Sequence, residues 1–389
     1  MSTDANPAAP AAAPSSPLRT VLLALPMLLL TFFFLSGGKV LHEPKVLAAF
    51  IITYAFVNVL FILMIHTGKT DRYRAIFFIT YAVMFSVSFI SHMIEARGAM
   101  SVSDDEALAG RVPFCHIVTT MVLIPAALSK TIIFWGSMTK TYASIASMLI
   151  IWIGASLALG RGWCSWACFF GGWDDGFSRL RRKAVIRNIP VKWSYLSFAV
   201  LIAVALISAA VMEPVYCPWI CPFKAVSEYS PVTDVKTAVQ AGIFITLFGG
   251  LAIVLPVLTR RRMQCSLLCP FGAMQSFTNY VSPYEVRIDP AQCRKCKLCI
   301  RDCPTFSLDE KSLEGGGARF TCVKCGKCVD SCPRGATYFH IKGTPLLRNA
   351  KIYRMLFLYS AVLFMAVFGG GTVQNAVLRL INLATTGRI

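Results

Sequence analysis

Seven apolar stretches, each close to the length needed to cross a bilayer core, divide this 389-residue chain: roughly 19–36, 46–66, 75–94, 141–160, 194–212, 238–258 and 353–373. Their apolar residues run in blocks and not at amphipathic spacing, so each helix must meet lipid or other helices on every side. The composition agrees, with 56% hydrophobic residues, 15% charged and a mean hydropathy of +0.62. A further piece, "HIVTTMVLIPAALSKTIIFWG" (116–136), is broken by Pro125 and Lys130 and is expected to be re-entrant or interfacial. The opening "MSTDANPAAPAAAPSSP" has the Pro/Ala/Ser bias of a disordered tail. No small-residue cleavage site closes the apolar block after it, so a retained helix is expected there and not a secretory signal.

Orientation follows from Lys and Arg. The loops 67–74 (Lys69, Arg72, Arg74), 177–193 (Arg179, Arg181, Arg182, Lys183, Arg187, Lys192) and 259–263 (Arg260, Arg261, Arg262) are basic and should share the cytoplasmic side. The loop with Glu95, Asp104, Asp105 and Glu106 is acidic, and the loop after the fifth span is nearly balanced. Seven spans satisfy every loop with the N-terminus in and the C-terminus out. The net charge of +19 is mostly this asymmetry, and no basic stripe with interleaved aromatics points to nucleic acid.

Fifteen cysteines carry the chemistry. "CRKCKLCIRDCP" (293–304) and "CVKCGKCVDSCP" (322–333) share the spacing C-x2-C-x2-C-x3-C-P, which is that of bacterial two-cluster ferredoxins. In that pattern the fourth cysteine of each run serves the other cluster. Cluster one therefore takes Cys293, Cys296, Cys299 and Cys332, and cluster two takes Cys322, Cys325, Cys328 and Cys303. Zinc prefers four ligands as two C-x-x-C pairs, and disulfides are disfavoured on a reducing side. The residues between the ligands are basic (Arg294, Lys295, Lys297, Lys324, Lys327), which should raise the cluster potentials and attract an acidic donor, or else form a solvated positive face.

The other cysteines form a second repeat: "GWCSWACFFGGW" (Cys164, Cys168), "VYCPWICPFKAV" (Cys217, Cys221) and "MQCSLLCPFGAM" (Cys265, Cys269). Each C-x3-C follows the end of an apolar block, and i, i+4 spacing puts both thiols on one face of a turn. By topology Cys164, Cys168, Cys265 and Cys269 share the inner side, four thiolates for one further cluster at the membrane face. Cluster handling, another metal or plain packing are the alternatives. Cys217 and Cys221 fall on the outer side, where Cys115 and His116 of "RVPFCH" complete four ligands; a disulfide is the competing reading there. Eight, four and three cysteines account for the whole set.

The "GRGWCSWAC" and "RRRMQCSLLCPFGA" motifs, followed by a two-cluster ferredoxin module, resemble the NapH/NosR/MauN-type membrane polyferredoxins, to which CcoG-like accessory proteins are related. The resemblance covers about residues 141–342, with Phe169 standing where the motif has proline. It implies a quinol-linked electron donor or an accessory factor for a respiratory metalloenzyme.

Among the remaining polar residues, His42, His92, His116 and Glu95 are candidates for a quinone site or proton path near the outer face, and Lys130 for a quinone headgroup contact. His66 and His92 lie at opposite ends of their helices, which disfavours a shared haem. Trp163, Trp166, Trp173 and Trp219 are expected as interfacial anchors.

The expected architecture is mainly α: a polytopic bundle of about seven membrane helices with a small cytoplasmic α+β ferredoxin domain inserted before the last one. Its parts are a tail (1–18), a first helical section (19–136), a section with three C-x3-C motifs (137–284), the ferredoxin domain (285–345) and a last helix with its tail (346–389). The expected function is electron transfer in the bacterial inner membrane, between a cytoplasmic redox subunit and quinone or a periplasmic acceptor. The alternative is an accessory factor delivering electrons for metal reduction or assembly of a respiratory metalloenzyme.

Overall fold

The computed structural model describes residues 16–38, 41–95, 116–118, 120, 121, 124, 145–187, 189–212, 215–227, 232–345 and 349–387. Five of its helices are long and apolar enough to cross a membrane: Pro17–Ser36 (α1), Pro44–Thr67 (α2), Val191–Val211, Val235–Thr259 and Ala350–Thr386. Proline opens α1 and α2, where its missing N–H costs nothing, and left-handed Gly37 and Gly68 close them. Two further helices, Thr70–Glu95 (α3) and Ile145–Leu159 (α4), fall where the third and fourth of the seven expected spans lie, but they are not among the five. The interrupted piece expected as re-entrant falls mostly outside the described residues, as does Lys130.

Leucines and phenylalanines of α1 (Leu18, Leu22, Leu29, Phe33) stay exposed while Ala24 and Met27 are buried, so the outward face is as apolar as the inward one. That is the pattern of a helix solvated by lipid. α1, α2, α3 and the last helix share one core around Phe61, Met64, Phe77, Phe357 and Met365. Polar bonds fix the register: Asn58 Nδ2 donates to Thr31 Oγ1 at 2.9 Å, and Arg354 donates to Thr70 Oγ1 and the Met64 carbonyl.

A short helix, Phe169–Arg179 (α5), runs antiparallel along α3. Phe169 stacks on Phe85 at 3.6 Å, and Arg179 reaches Asp71 at 2.7 Å. With a rise of about 1.5 Å per residue, α5 starts about 20 Å along α3 from Asp71. Cys168, the residue before α5, is therefore deep and not at the level of the basic loops. The basic loops themselves meet in one buried network: Arg74 and Arg179 each bridge Asp71 and Asp175, and Arg262 pairs with Asp175 at 2.9 Å.

The ferredoxin-like module is a two-stranded antiparallel sheet, β1 (Tyr284–Ile288) with β2 (Thr337–Ile341), paired from Tyr284↔Ile341 to Ile288↔Thr337. Between the strands lie both cysteine runs, each closing on a short helix, Leu298–Asp302 and Lys327–Ser331. The module is seated on the membrane helices: Asp330 accepts from the backbone N–H of Thr70 (3.0 Å) and Asp71 (2.8 Å), capping α3 from outside.

Candidate functional site

Two cavities in the module carry the expected swap of ligands. One, of about 160 Å³, is lined by Cys293, Cys296, Cys299 and Cys332 with Pro333 and Leu313. The other is tight and is lined by Cys303, Cys322, Cys325 and Cys328. The tight loops aim backbone N–H groups at sulfur: Lys295 at Cys293 (3.4 Å), Lys324 at Cys322 (3.4 Å) and Ser307 at Cys303 (3.3 Å). Burial, then the neighbouring cysteines, pushes the Cys299 thiol up to about 11, and burial with Cys303 and Cys325 nearby pushes Cys322 to about 12. Four thiolates in so small a space need a cationic occupant. Among the described residues no three His, Cys, Asp or Glu side chains are close enough to hold one metal ion, and no disulfide forms. Two exchanged sets of four cysteines in C-x2-C-x2-C-x3-C-P runs fit multi-iron clusters better than a zinc held by two C-x-x-C pairs.

The two runs are alike in sequence and unlike in setting. Lys295 and Lys324 hold the same place in their loops, with φ of 52° and 49°. Lys295 is exposed beside exposed Cys296, whereas Lys324 is 2% exposed. Its ammonium donates to the Leu159 carbonyl (2.8 Å), Asn279 Oδ1 (2.8 Å) and Ser282 Oγ (2.9 Å), and Trp166 Nε1 donates to its carbonyl at 3.1 Å. The basic residues thus do not form one solvated face. Arg294, Lys295 and Lys297 face solvent around the first set, and Lys324 docks the second set onto the membrane helices.

There the second set meets the C-x3-C motifs. Cys325, Val323 and Cys164 pack together in one buried cluster. Cys265 stands within electrostatic reach of Cys164, Cys168 and Cys269, so the structure brings the four inner cysteines together. An arginine three residues before each pair clasps the other pair. Arg161 donates to the carbonyls of Cys265 (3.1 Å) and Thr321 (3.0 Å), and Arg262 donates to the carbonyl of Cys164 (3.3 Å) and to Ser165 Oγ (2.8 Å). The first and third repeats are therefore joined reciprocally, as about a local twofold axis.

The local geometry differs from a shared helical face. In each of these two repeats the first cysteine lies in a short turn, and the second is extended at the start of the next helix: Cys168 (φ −92°, ψ 112°) before α5 and Cys269 (φ −72°, ψ 110°) before Pro270–Val281. The N–H groups two and three residues on face each sulfur: Phe170 and Gly171 at Cys168, Phe223 and Lys224 at Cys221, Phe271 and Gly272 at Cys269. A Cβ on Gly171 would stand 2.3 Å from the Cys164 carbonyl oxygen, and one on Gly272 3.0 Å from that of Cys265, so close backbone approach explains the repeated glycine.

The middle pair is less separate than topology suggested. Cys221 and Cys168 share one apolar cluster in which the repeat phenylalanines Phe170, Phe223 and Phe271 converge. His116, expected with Cys217 and Cys221, lies with Nε2 3.1 Å from Cys168 Sγ; Cys115 is outside the described residues. Trp163 and Trp166, expected as interfacial anchors, are buried at 2% and 0% exposure, while Trp219 is exposed. His42 is exposed and His66 half-buried; the side chains of His92 and Glu95 are outside what is described. The two clasping arginines and Lys324 were missed as site residues, although "GRGWC" and "RRRMQC" both carry the repeated arginine.

A 4Fe-4S binding domain family matches three times, at residues 141–187, 193–230 and 241–283, one match per C-x3-C repeat. A 4Fe-4S dicluster domain family matches residues 285–333. YccM of Escherichia coli, whose name describes electron transport, is 28% identical over 222 residues, 52% of this chain and 57% of its own length. The ferredoxin-type protein NapH of Haemophilus influenzae is 27% identical over 43% of this chain and 58% of its own. The regulatory protein NosR of Pseudomonas aeruginosa is 26% identical over 52% of this chain and 29% of its own. The chain thus spans between about a third and three fifths of these relatives. No solved structure gave a significant match. With three 4Fe-4S binding-domain matches in its membrane part and a dicluster match in the module seated on them, this chain is similar to the NapH/NosR-type membrane polyferredoxins.

Proposed function

We propose that the protein conducts electrons between a soluble redox partner and the interior of the bacterial inner membrane. The carrying observation is a succession of neighbouring thiols. It starts at exposed Cys296, continues through Cys299 beside Cys328 and through Cys325 packed on Cys164, and ends where Cys168 and Cys221 share a core. Cys293, Cys296, Cys299 and Cys332 would hold one 4Fe-4S cluster, Cys303, Cys322, Cys325 and Cys328 a second, and Cys164, Cys168, Cys265 and Cys269 a third. When bound, these clusters supply one-electron carriers at successive depths. Cys217 and Cys221, with Cys115, would make an outer site.

The protein's own groups give the path its ends. Arg294, Lys295 and Lys297 surround Cys296 and favour an acidic partner. A cleft of about 480 Å³ between α3 and the module, lined by Lys69, Arg72, Ile76, Ile79, Asp302 and Lys327, opens beside the second set and suits a quinone headgroup with an apolar tail. Arg74, Arg179 and Arg262 come from the three basic loops and meet under the module, which supports a cytoplasmic module with the N-terminus in and the C-terminus out.

A second reading, electron delivery during metal reduction or assembly of a respiratory metalloenzyme, draws on the similarity to a protein named as regulatory. Deleting the gene separates the two: an assembly role leaves the client enzyme without metal, and a conduit role leaves it loaded but starved of electrons. Iron and acid-labile sulfide counts on anaerobically purified protein test the conduit. Replacing Cys164, Cys168, Cys265 and Cys269 by Ala should remove about four irons, keep the ferredoxin signals and abolish coupled turnover. Retained turnover in that variant sinks it.

A further inference from the structure

Arg161 reaches the Cys164 sulfur and Asp174 that of Cys265, while the second cysteines of the two repeats share one backbone setting and differ in a side chain. Cys168 and Cys269 occupy equivalent positions, each extended at a helix start, each faced by the N–H groups two and three residues on, each repeat clasped by the other's arginine. Of these two, among the described residues, Cys168 alone has a side-chain hydrogen-bond partner from another repeat or loop, His116 Nε2 at 3.1 Å. The imidazole is buried at 8% exposure and wedged by the rings of Phe271 (4.6 Å), Trp163 (5.8 Å) and Phe170 (5.9 Å). Cys168 Sγ is the one hydrogen-bond partner of that ring among the described residues.

We infer that His116 is a positioning residue that donates Nε2–H to the Cys168 sulfur and so holds the inner cluster at a higher potential than its two backbone cradles alone would set. The inference rests on the proposed ligation of that cluster by Cys164, Cys168, Cys265 and Cys269. A hydrogen bond to a ligand sulfur stabilises the more negative, reduced state more than the oxidised one, because the accepted charge is larger there. Both repeats sit on helix starts, so the helix ends do not account for the difference.

The test is a redox titration followed by EPR on the full-length protein, wild type against His116→Phe and His116→Gln, with iron counted in each. Removing the donor in His116→Phe should lower the inner-cluster midpoint by about tenfold in the reduced-to-oxidised ratio, 59 mV for one electron, with iron content and the two ferredoxin signals unmoved. His116→Gln keeps an N–H donor and should recover part of that shift, which a merely space-filling residue would not produce. An unmoved midpoint in His116→Phe overturns the inference. So does a loss of about four irons in both variants, which would make His116 a ligand and not a donor. If the wild type itself shows no third signal, the inner-cluster reading fails first, and the role of His116 with it.

Discussion

Substituting Lys324→Met tests how the ferredoxin module is held on the membrane helices. The ammonium makes three charge-assisted bonds, each worth about 1.5–3 kcal/mol, against a desolvation cost of several kcal/mol for a buried charge. Methionine removes both terms and keeps most of the volume. What remains is the loss to the acceptors. Asn279 Oδ1 still accepts from the Arg161 N–H at 2.9 Å, and Ser282 Oγ still donates to the Ala158 carbonyl at 3.0 Å. The Leu159 carbonyl, at the end of α4, loses the Lys324 donor. One orphaned buried acceptor costs about 1–3 kcal/mol, or roughly 5- to 150-fold in the undocked fraction. Hydrogen exchange on the full-length protein should therefore speed up over 159–164 and 279–284, with acid-labile sulfide unchanged. Lys295→Met, at the equivalent exposed position, should leave those segments untouched. Wild-type exchange in the Lys324 variant, or an equal rise in the Lys295 variant, refutes the docking argument.

Gly171→Ala puts a Cβ 2.3 Å from a carbonyl oxygen and 3.0 Å from the Phe78 ring, whereas Gly272→Ala meets its carbonyl at 3.0 Å. Overpacking of this kind costs about 1–3 kcal/mol, and thermal unfolding should rank Gly171→Ala as the more damaging of the two. Arg262→Met leaves Asp175 with two guanidinium partners and frees the carbonyl of Cys164. Breaking a buried charge network costs about 3–5 kcal/mol, so the variant should accumulate poorly in membranes while Arg261→Met does not; equal yields would show that the network is dispensable.

The ferredoxin module was the most legible part, since C-x2-C-x2-C-x3-C-P fixes both the tight loops and the exchange of the fourth cysteine, and the cavities hold those same sets. The threefold C-x3-C repeat was visible too. Its convergence was not, because a count of spans assigns a side and says nothing of how far a loop folds back between helices. Cys221 and Cys168 therefore came from opposite expected faces into one cluster. Lys295 and Lys324 show the limit most plainly: the same residue, in the same loop position with the same φ, is solvated in one copy and a docking post in the other. Only the contact with Leu159, Asn279 and Ser282 separates them, and that is a tertiary fact. Trp166 is buried for the same reason, its indole N–H being taken up by the Lys324 carbonyl.

The reciprocal clasp of Arg161 and Arg262 also sets an order of events during synthesis. Arg161 leaves the ribosome roughly a hundred residues before the Cys265 carbonyl that it will bind, and further still before Thr321. Until those carbonyls arrive, its charge sits next to an apolar helix end with nothing to neutralise or bond it. The first repeat is thus a half-built socket that stays open through the helices made between it and Thr321 and closes only when the ferredoxin runs are made. A chain cut short before residue 321 would expose that socket, cationic and thiol-bearing, to quality-control proteases. If the inner cysteines hold a cluster as proposed, its loading would then be a late step that waits on the module seated above it.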